Sequence, residues 1–383
     1  MSARRRLGRL RALVWAGTLA LAALVPFASA RAEERELDRI VGRMLAAPEI
    51  RPAAGLEARL LVPPGELYDP LYPHAHAGAI WINDDGGEEG EWGGRIVALG
   101  AGGLVAPVVA FGRLLPVTGF DVAPPGFGTF GGSIFALTQP RVGEKGASQD
   151  HLIQRVDPAG GAAAETFCAL TTGGKADAAP SGYGIDARFG PPGSAFAGRF
   201  FAVTGLNGTV YQATPDGRCT PFAVFDARRD GMPAGLAFSP DGGTLWVALG
   251  NDAGGRIARI RPDGSLAEPL FLGKQAPHPM GLAFAPAGFP VGEGELFLTE
   301  FGEFGLPVPG TQPLPADGRV LRVDARGEVH LVASGFKNPA GLLFDGDRLV
   351  VADLNGDFIA GHRELPDGFV VELRGAGLRA RAR

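Results

Sequence analysis

Oxygen-bearing side chains that follow apolar segments are the residues of this chain best suited to chemistry. In VVADLNGDF, which begins at Val350, polar side chains occupy every second position after a β-type run. FLTEFGEFG and LWVALGND place further acids directly after similar runs. Carboxylate and amide oxygens are the ligands that calcium and magnesium prefer. The predicted ligands of such a cation are Asp353, Asn355, Asp357, Glu303 and Asp252.

Turn formation is the alternative role for these residues, because Asp and Asn side chains also accept hydrogen bonds from nearby backbone N–H groups. It competes equally at Asp353 and is favoured at Asn355 and Asp357. The spacing does not match an EF-hand, which needs glycine at the sixth position and a glutamate at the twelfth. Here glycine is the fourth residue, Gly356. The sequence leaves both interpretations open.

Residues next to Pro-x-Gly segments supply the remaining candidates. His278 directly precedes one such segment, and imidazole is the side chain that exchanges a proton near neutral pH, so it is the predicted general base. Lys337 and Asn338 precede another, and Glu300 ends an apolar run. We expect these three to bind a cofactor or substrate hydroxyls.

Three other polar features are assigned structural or solvent-exposed roles. NDDGGEEGEW, residues 83–92, is predicted to be a solvated acidic loop, with cation binding as the alternative. His74 and His76 in PHAHAG are predicted surface residues, with a paired metal site as the alternative. His330 is predicted to be structural, in an outer strand.

A repeated unit must position these groups. MPAGLAFSPDGGTLWVALG (232–250), HPMGLAFAPAGFPVGEGELFLTEFG (278–302) and NPAGLLFDGDRLVVADLNG (338–356) each read as Pro-x-Gly, an apolar strand, a turn and a second strand. Units of four strands at an irregular period of roughly 45–65 residues are typical of β-propeller blades. We predict an all-β, six-bladed β-propeller with four-stranded blades. A multi-sheet sandwich is the alternative fold.

Ring closure and channel geometry follow from this fold. LEARLLVP, residues 56–63, is predicted to supply the fourth strand of the last blade and so remove an exposed sheet edge. Residues just before each Pro-x-Gly segment and just after the second strand should meet near the mouth of the central channel. The candidate residues therefore converge on one mouth.

Domain boundaries come from composition. Arg4, an uncharged run from Ala12 to Phe27 and small residues before Ala32 are typical of a cleaved secretory signal peptide, with an uncleaved anchor as the alternative. We predict a signal peptide at 1–32, a short helix (Glu33–Leu45) and linker at 33–55, the propeller at 56–373 and a basic tail at 374–383. The protein would then be periplasmic or secreted.

Charge and cysteine content narrow the function classes. Cleavage removes six arginines and no acids, so the net charge falls from −5 to −11 and nucleic acid is not an expected partner. Cys168 and Cys219 either pair or lie as two buried thiols in neighbouring repeats, with the thiols slightly favoured.

The repeats from about Ala77 to Leu373 resemble the six-bladed propellers of the NHL-repeat, gluconolactonase/senescence-marker and soluble quinoprotein sugar dehydrogenase families. GFKNPAGLLFDGDRLVVADLNGD and HPMGLAFAPAG carry the resemblance. The gluconolactonase family implies one divalent metal, often calcium, held by Glu, Asn and Asp; Ala234 and Leu249 stand at the Asn and Asp positions here. The dehydrogenases imply pyrroloquinoline quinone, and their anchor and Ser/Thr-Glu-His-Gly stretch resemble Lys337–Gly341 and Thr299–Gly302.

These observations together predict an exported propeller that acts on or binds a small sugar-like molecule. The first reading is a quinoprotein sugar dehydrogenase-like enzyme, the second a metal-dependent gluconolactonase-like hydrolase and the third a non-catalytic platform. A small sugar or lactone is the expected partner, no stable membrane span is expected after cleavage, and a protein partner is left open.

Overall fold

The computed structural model describes Arg39 and residues 41–86, 93–100, 103, 105–139, 151–158, 163–170, 184–205, 207–302, 317–355 and 365–376. The chain divides into two compact units, 1–46 and 47–383. In the first unit, residues 41–44 are helical, within the predicted helix. The predicted signal peptide lies outside the described residues. In the described part of the chain, no helix is long and apolar enough to cross a membrane.

The second unit is a six-bladed β-propeller of antiparallel, four-stranded blades, which confirms the predicted fold class. Each of blades one to five is built from four consecutive strands, ordered from the centre outwards. The first three blades comprise β3 (Pro70–His76), β4 (Ala79–Asp84), β5 (Gly94–Leu99), β6 (Val105–Leu114); β7 (Val117–Val122), β8 (Ile134–Thr138), β9 (His151–Val156), β10 (Glu165–Leu170); and β11 (Gly184–Phe189), β12 (Phe200–Thr204), β13 (Thr209–Ala213), β14 (Cys219–Val224). The others comprise β15 (Met232–Phe238), β16 (Leu245–Gly250), β17 (Gly255–Ile260), β18 (Leu266–Gly273); β19 (Pro279–Phe284), β20 (Leu296–Glu300), β21 (Gly318–Val323), β22 (Val329–Phe336); and β23 (Pro339–Asp345), β24 (Arg348–Asp353), β25 (Gly368–Gly375).

The sixth blade takes its outermost strand from the other end of the second unit. Strand β2 (Leu56–Leu67) pairs with β25, from Leu56 opposite Gly375 to Leu67 opposite Gly368. This confirms the predicted closing strand. The pairing also carries β25 two residues past the predicted end of the propeller. A two-residue strand, β1 (Arg51–Pro52), adds a fifth strand to blade five beside β22.

The core lies between the faces of adjacent blades. Second strands are buried on both faces, so IFALT and FFAVT read as continuous apolar runs without the alternation of a half-exposed strand. Aromatic rings fill the gap between blades two and three, where Phe135 contacts Phe189 with ring centroids 5.4 Å apart. Because these strands are buried on both faces, their apolar runs are continuous. This makes the second strand the easiest part of each repeat to recognise in the sequence.

The Pro-x-Gly glycines allow the innermost strands to touch. A Cβ atom at Gly235 would lie 2.2 Å from the carbonyl oxygen of Met280, and one at Gly281 would lie 2.5 Å from that of Ala340. Gly341 is equally close to Leu71, with 2.5 Å to its carbonyl oxygen. Glycine is required here for close backbone approach, because any larger residue would push neighbouring blades apart.

The cysteines form a disulfide, so the favoured prediction of two unpaired thiols was wrong. Cys168 lies in β10 and Cys219 in β14, with Cα atoms 6.2 Å apart. The bond joins the outer strands of blades two and three. Thus, the pairing depends on the register between two blades, which residue spacing alone does not reveal.

Gly281→Ala is expected to lower the free energy of unfolding by about 1–3 kcal/mol, because the new methyl group overpacks the contact with Ala340. Gly243→Ala is the matched control: a Cβ there lies 3.4 Å from Asp241, an ordinary contact. Chemical unfolding of the two variants and the wild type measures the difference. If both variants lose the same free energy of unfolding, the contact between the innermost strands does not require glycine.

Replacing both cysteines with serine is expected to lower the free energy of unfolding by about 2–4 kcal/mol, because the cross-link spans 51 residues and restricts the unfolded chain. Chemical unfolding under non-reducing conditions, compared with wild type with and without reductant, measures it. A reduced wild type as stable as the oxidised protein would contradict the expectation.

Candidate functional site

The innermost strands surround a central channel with two mouths. We call the end at which these strands begin the upper mouth, and the end at which they finish the lower mouth. Residues of blade six confirm the predicted meeting of loops at the upper mouth, since the main-chain N–H groups of Lys337 and Asn338 donate to Asp353 at the end of β24. The candidate residues that the structure describes at this upper end are Asp252, His278, Glu300, Lys337, Asn338, Asp353 and Asn355.

A cavity of about 380 Å³ lies between blades four and five at the upper mouth. His278 and Asp252 face it together, with His278 Nε2 3.3 Å from Asp252 Oδ1. The His278 side chain is 20% exposed, whereas that of Asp252 is 94% exposed. Imidazole and carboxylate therefore meet at the cavity wall, in contact with solvent. Arg228, Asn251 and Met280 also line it.

The main chain fixes the loops that carry this pair. Asn251 donates from its backbone N–H to the carbonyl oxygen of Pro277 at 2.8 Å, which ties the end of β16 to the residue before His278. Its side-chain amide donates to the carbonyl oxygen of Arg228 at 3.3 Å. Phe301 donates its N–H to the carbonyl oxygen of His278 at 3.2 Å. His278 is thus held from both adjoining blades.

Asp353 stabilises the turn at the end of its strand. The side chain is fully buried, and its oxygens accept N–H bonds from Lys337 (2.8 Å), Asn338 (3.1 Å) and Asn355 (2.8 Å). Asn338 donates its amide to the carbonyl oxygen of Asn355 at 2.8 Å, and Asn355 donates its own to Asp367 at 3.0 Å. Asn355 adopts φ 60°, a left-handed conformation that asparagine tolerates. These contacts match the turn interpretation.

Glu300 is also engaged within the fold. It is buried at the end of β20 and forms an ion pair with Arg319 on the adjacent strand. Burial raises the pKa of this carboxyl group, and Arg319 partly lowers it again. Glu300 is thus paired within the fold, and its role in cofactor binding stays a prediction.

The predicted cation ligands do not form a shell in the part of the chain that the structure describes. Glu303 and Asp357 lie outside the described residues. Among described residues, the acids and histidines that lie close enough together to hold a metal ion jointly are Asp324, Glu328 and His330 on blade five. His330 lies in the outer strand β22, as predicted. Neither Asp353 nor Asp252 belongs to such a group among the described residues. The calcium site that the sequence suggests therefore stays a prediction.

The acidic loop prediction was wrong at its first two residues. Asn83 and Asp84 are fully buried at the end of β4. Asn83 accepts the N–H of Tyr72 and donates to the carbonyl oxygen of Val117, both at 2.9 Å, which links blades one and two. Asp84 accepts Arg95 Nε at 2.7 Å. Residues 87–92 lie outside the described residues.

Sequence reasoning missed a buried polar cluster inside the channel, which we call the hub cluster: Tyr72, His74, Asp121, Asp186 and Arg188. His74 is only 7% exposed and packs against Phe120 with ring centroids 4.6 Å apart, so its predicted surface position was wrong. His74 Nδ1 lies 3.7 Å from Asp121 Oδ1. Burial, and then the charge of Arg188, holds the pKa of His74 well below its usual value, so it is neutral at physiological pH.

The acids of the hub cluster connect blades. Asp121 accepts the N–H of Phe189 from blade three, and Asp186 accepts that of Leu236 from blade four, each at 2.8 Å. Arg188 Nε donates to Asp186 at 3.1 Å. The available signal was the presence of charged residues in GFDV and GIDARF, inside strands that are otherwise apolar. A charged side chain in an innermost strand is surrounded by neighbouring blades, so it is expected to lie near the central channel.

Comparison with known proteins supports the fold. No known protein family and no curated protein matches the sequence. Among solved structures, the chain is similar to a gluconolactonase from Xanthomonas campestris, with 16% identity, a TM-score of 0.52, and coverage of 86% of this chain and 95% of that one. It is similar to regucalcin from Agrobacterium tumefaciens, a calcium-binding protein, with 16% identity, a TM-score of 0.52, and coverage of 84% and 95%. A luciferin-regenerating enzyme gives 14% identity, a TM-score of 0.53, and coverage of 86% and 96%.

Asp84 is expected to make stability fall as pH rises from about 4 to about 6. Burial raises its pKa from 3.8 to about 6, although Arg95 and two backbone N–H groups lower it. In this window the folded state keeps a proton that the unfolded chain has lost, so rising pH favours unfolding. Urea unfolding from pH 4 to 7 should give a flatter pH dependence for Asp84→Asn than for wild type.

Asp347→Asn, the same chemical change on an exposed turn, is the control and is expected to keep the wild-type pH dependence. A pH dependence of Asp84→Asn that coincides with wild type would contradict the assignment to Asp84.

Proposed function

We propose that this propeller hydrolyses a small, sugar-like lactone at its upper mouth. The observation that carries the proposal is the pairing of His278 with Asp252 at the wall of the cavity between blades four and five. Support comes also from the shared fold with a gluconolactonase. The comparisons favour this lactonase alternative over the quinoprotein dehydrogenase reading, which was first in the sequence analysis.

His278 acts as the general base in this proposal. Asp252 Oδ1 lies 3.3 Å from His278 Nε2, and in this proposal the carboxylate orients the imidazole ring. His278 takes a proton from water while the water oxygen attacks the lactone carbonyl carbon. The ring C–O bond then breaks, and the departing ring oxygen takes the proton from His278, which gives the open-chain hydroxy acid. No other reactant is needed.

Arg228 supplies positive charge for the oxyanion. It lines the same cavity and is exposed, so its guanidinium group can reach the carbonyl oxygen as negative charge develops there. Asn251 cannot serve as easily, because its amide donates to the carbonyl of Arg228 and its oxygen accepts the N–H of Ala253 at 2.9 Å. Asn251 instead orients the loop that carries Asp252.

A divalent cation has no step in this reaction. Of the described acids at the upper mouth, Asp353 accepts main-chain N–H groups, Glu300 pairs with Arg319 and Asp252 faces His278. Regucalcin, which shares the fold, is a calcium-binding protein. Running the assay after EDTA and again with calcium restored tells whether Glu303 or Asp357, outside the described residues, brings a cation to this mouth. Pyrroloquinoline quinone gains no support, since Asn338 and Glu300 are engaged within the fold.

His278→Ala is expected to lower kcat for lactone hydrolysis by about 10²–10⁴-fold, because it removes the proton acceptor. A pH-indicator assay on δ- and γ-lactones of sugar acids, corrected for spontaneous hydrolysis, measures the rate. Asp252→Asn should lower it less, since Asp252 acts through His278.

His330→Ala is the matched control, because His330 lies in the outer strand of blade five, away from the cavity. It is expected to retain the wild-type rate. A wild type that turns over no lactone would overturn the proposal and favour a non-catalytic binding platform. A His278→Ala variant as active as wild type would instead overturn the role of His278 as the general base.

A further inference from the structure

Methionine side chains are concentrated at the cavity of the upper mouth. The chain contains four methionines, and two of them, Met232 and Met280, line this cavity. Ala227, Gly250 and Pro279 also form part of the wall and offer no side-chain nitrogen or oxygen. Methionine is unbranched and polarizable, so it adapts to apolar groups of irregular shape. This part of the wall is therefore suited to an apolar group of a bound molecule.

The two methionines, which we call the methionine wall, belong to a packed apolar region. Met280 is 9% exposed and lies in the same buried cluster as Ile185 of blade three. Met232 packs against this cluster and against Gly205, where an added Cβ atom would lie 3.1 Å from Met232 Sδ and 2.9 Å from Ile185 Cδ1. The apolar surface thus extends over blades three, four and five.

The methionine wall adjoins the proposed general base. Met280 follows His278 by two residues at the start of β19, and both line the cavity. Met232 begins β15 on the neighbouring blade and pairs with Gly250, two residues before Asp252. A lactone whose carbonyl carbon is attacked by water at His278 would therefore have its other atoms close to the methionines.

The polar side chains in the described part of the wall have few hydrogen bonds to offer a polyhydroxylated ring. Asp252 faces His278, and Asn251 donates to the carbonyl oxygen of Arg228 and accepts the N–H of Ala253. The guanidinium group of Arg228 is assigned to the oxyanion. A hydroxyl group against the methionine wall would lose its hydrogen bonds to water, whereas an alkyl group there gains by leaving water. The wall therefore favours alkyl over hydroxyl substituents.

We propose that the lactone bound at the upper mouth carries an apolar substituent, such as a short alkyl or acyl chain, which packs against Met232 and Met280. The cavity of about 380 Å³ lies within the range of small-molecule sites, roughly 300–1,000 Å³. This preference rests on the proposed hydrolysis and narrows its substrate class from sugar-like lactones in general to those with an apolar group on the ring. The two methionines determine specificity, and His278 keeps its role as base.

Three δ-lactones with the same ring size test the preference: δ-valerolactone has no substituent, δ-octalactone has a propyl group, and D-glucono-δ-lactone has hydroxyl groups. A pH-indicator assay gives kcat/KM for each, divided by the rate of its uncatalysed hydrolysis. We expect the value for δ-octalactone to exceed both others by at least about tenfold, because each CH₂ group that leaves water strengthens binding about fourfold.

Met232→Gln and Met280→Gln keep the length of the side chain and replace the thioether with a polar amide. Each should lower the ratio of δ-octalactone to δ-valerolactone kcat/KM by at least about threefold, whereas Met280→Leu should retain it. Met232 is half-buried, so its variant covers the case in which Met280→Gln does not fold. Leu331→Gln, at a 52% exposed position of the outer strand β22, is the control and should retain the wild-type ratio.

The outcomes separate the substrate preference from the hydrolysis itself. A wild type that hydrolyses no lactone would overturn both. A wild type that hydrolyses δ-valerolactone or D-glucono-δ-lactone at least as efficiently as δ-octalactone would overturn the preference alone. Folded glutamine variants that keep the wild-type ratio would overturn the role of the methionine wall.

Discussion

Backbone-to-backbone contact between innermost strands is the constraint on which the rest of this propeller depends. Six blades can share a narrow channel only if their central strands approach closely, and at Gly235, Gly281 and Gly341 the approach leaves no room for a side chain. Gly119 makes the same close approach to Ala187 between blades two and three. Asn83, Asp121 and Asp186 add hydrogen bonds to main-chain groups of the next blade.

The innermost strands nevertheless differ in their buried side chains. Those of blades four and five, MPAGLAF and PMGLAF, are apolar, whereas those of blades one to three carry the hub cluster. At the lower mouth, Arg188 of blade three and Glu293 of blade five line one cavity with mostly apolar residues of blades four and five. The upper mouth depends instead on loops, since His278 and Asp252 lie outside the strands. The two mouths are built from different parts of the repeat.

The fold could be predicted because its repeats are local. Pro-x-Gly, the doubly buried second strand and the closing strand are each visible as short apolar patterns with glycine or proline at their ends. The candidate site was harder, because Asp353 has the same neighbours in sequence whether it binds a cation or caps a turn. Only its three N–H partners show that it caps a turn. Likewise, His74 looks like a surface residue until blade two is placed against it.

The closing strand has a consequence for how the chain reaches this structure. Strand β2 must wait for β25, so the pairing that completes the ring joins two segments separated by most of the polypeptide. Contacts of such long sequence separation form slowly. On a ribosome, the first five blades can assemble as they emerge, while β2 presents an unpaired edge until the last strand has been synthesised. The interval before closure is thus the time at which a nascent chain of this design is most exposed to wrong pairing with another chain.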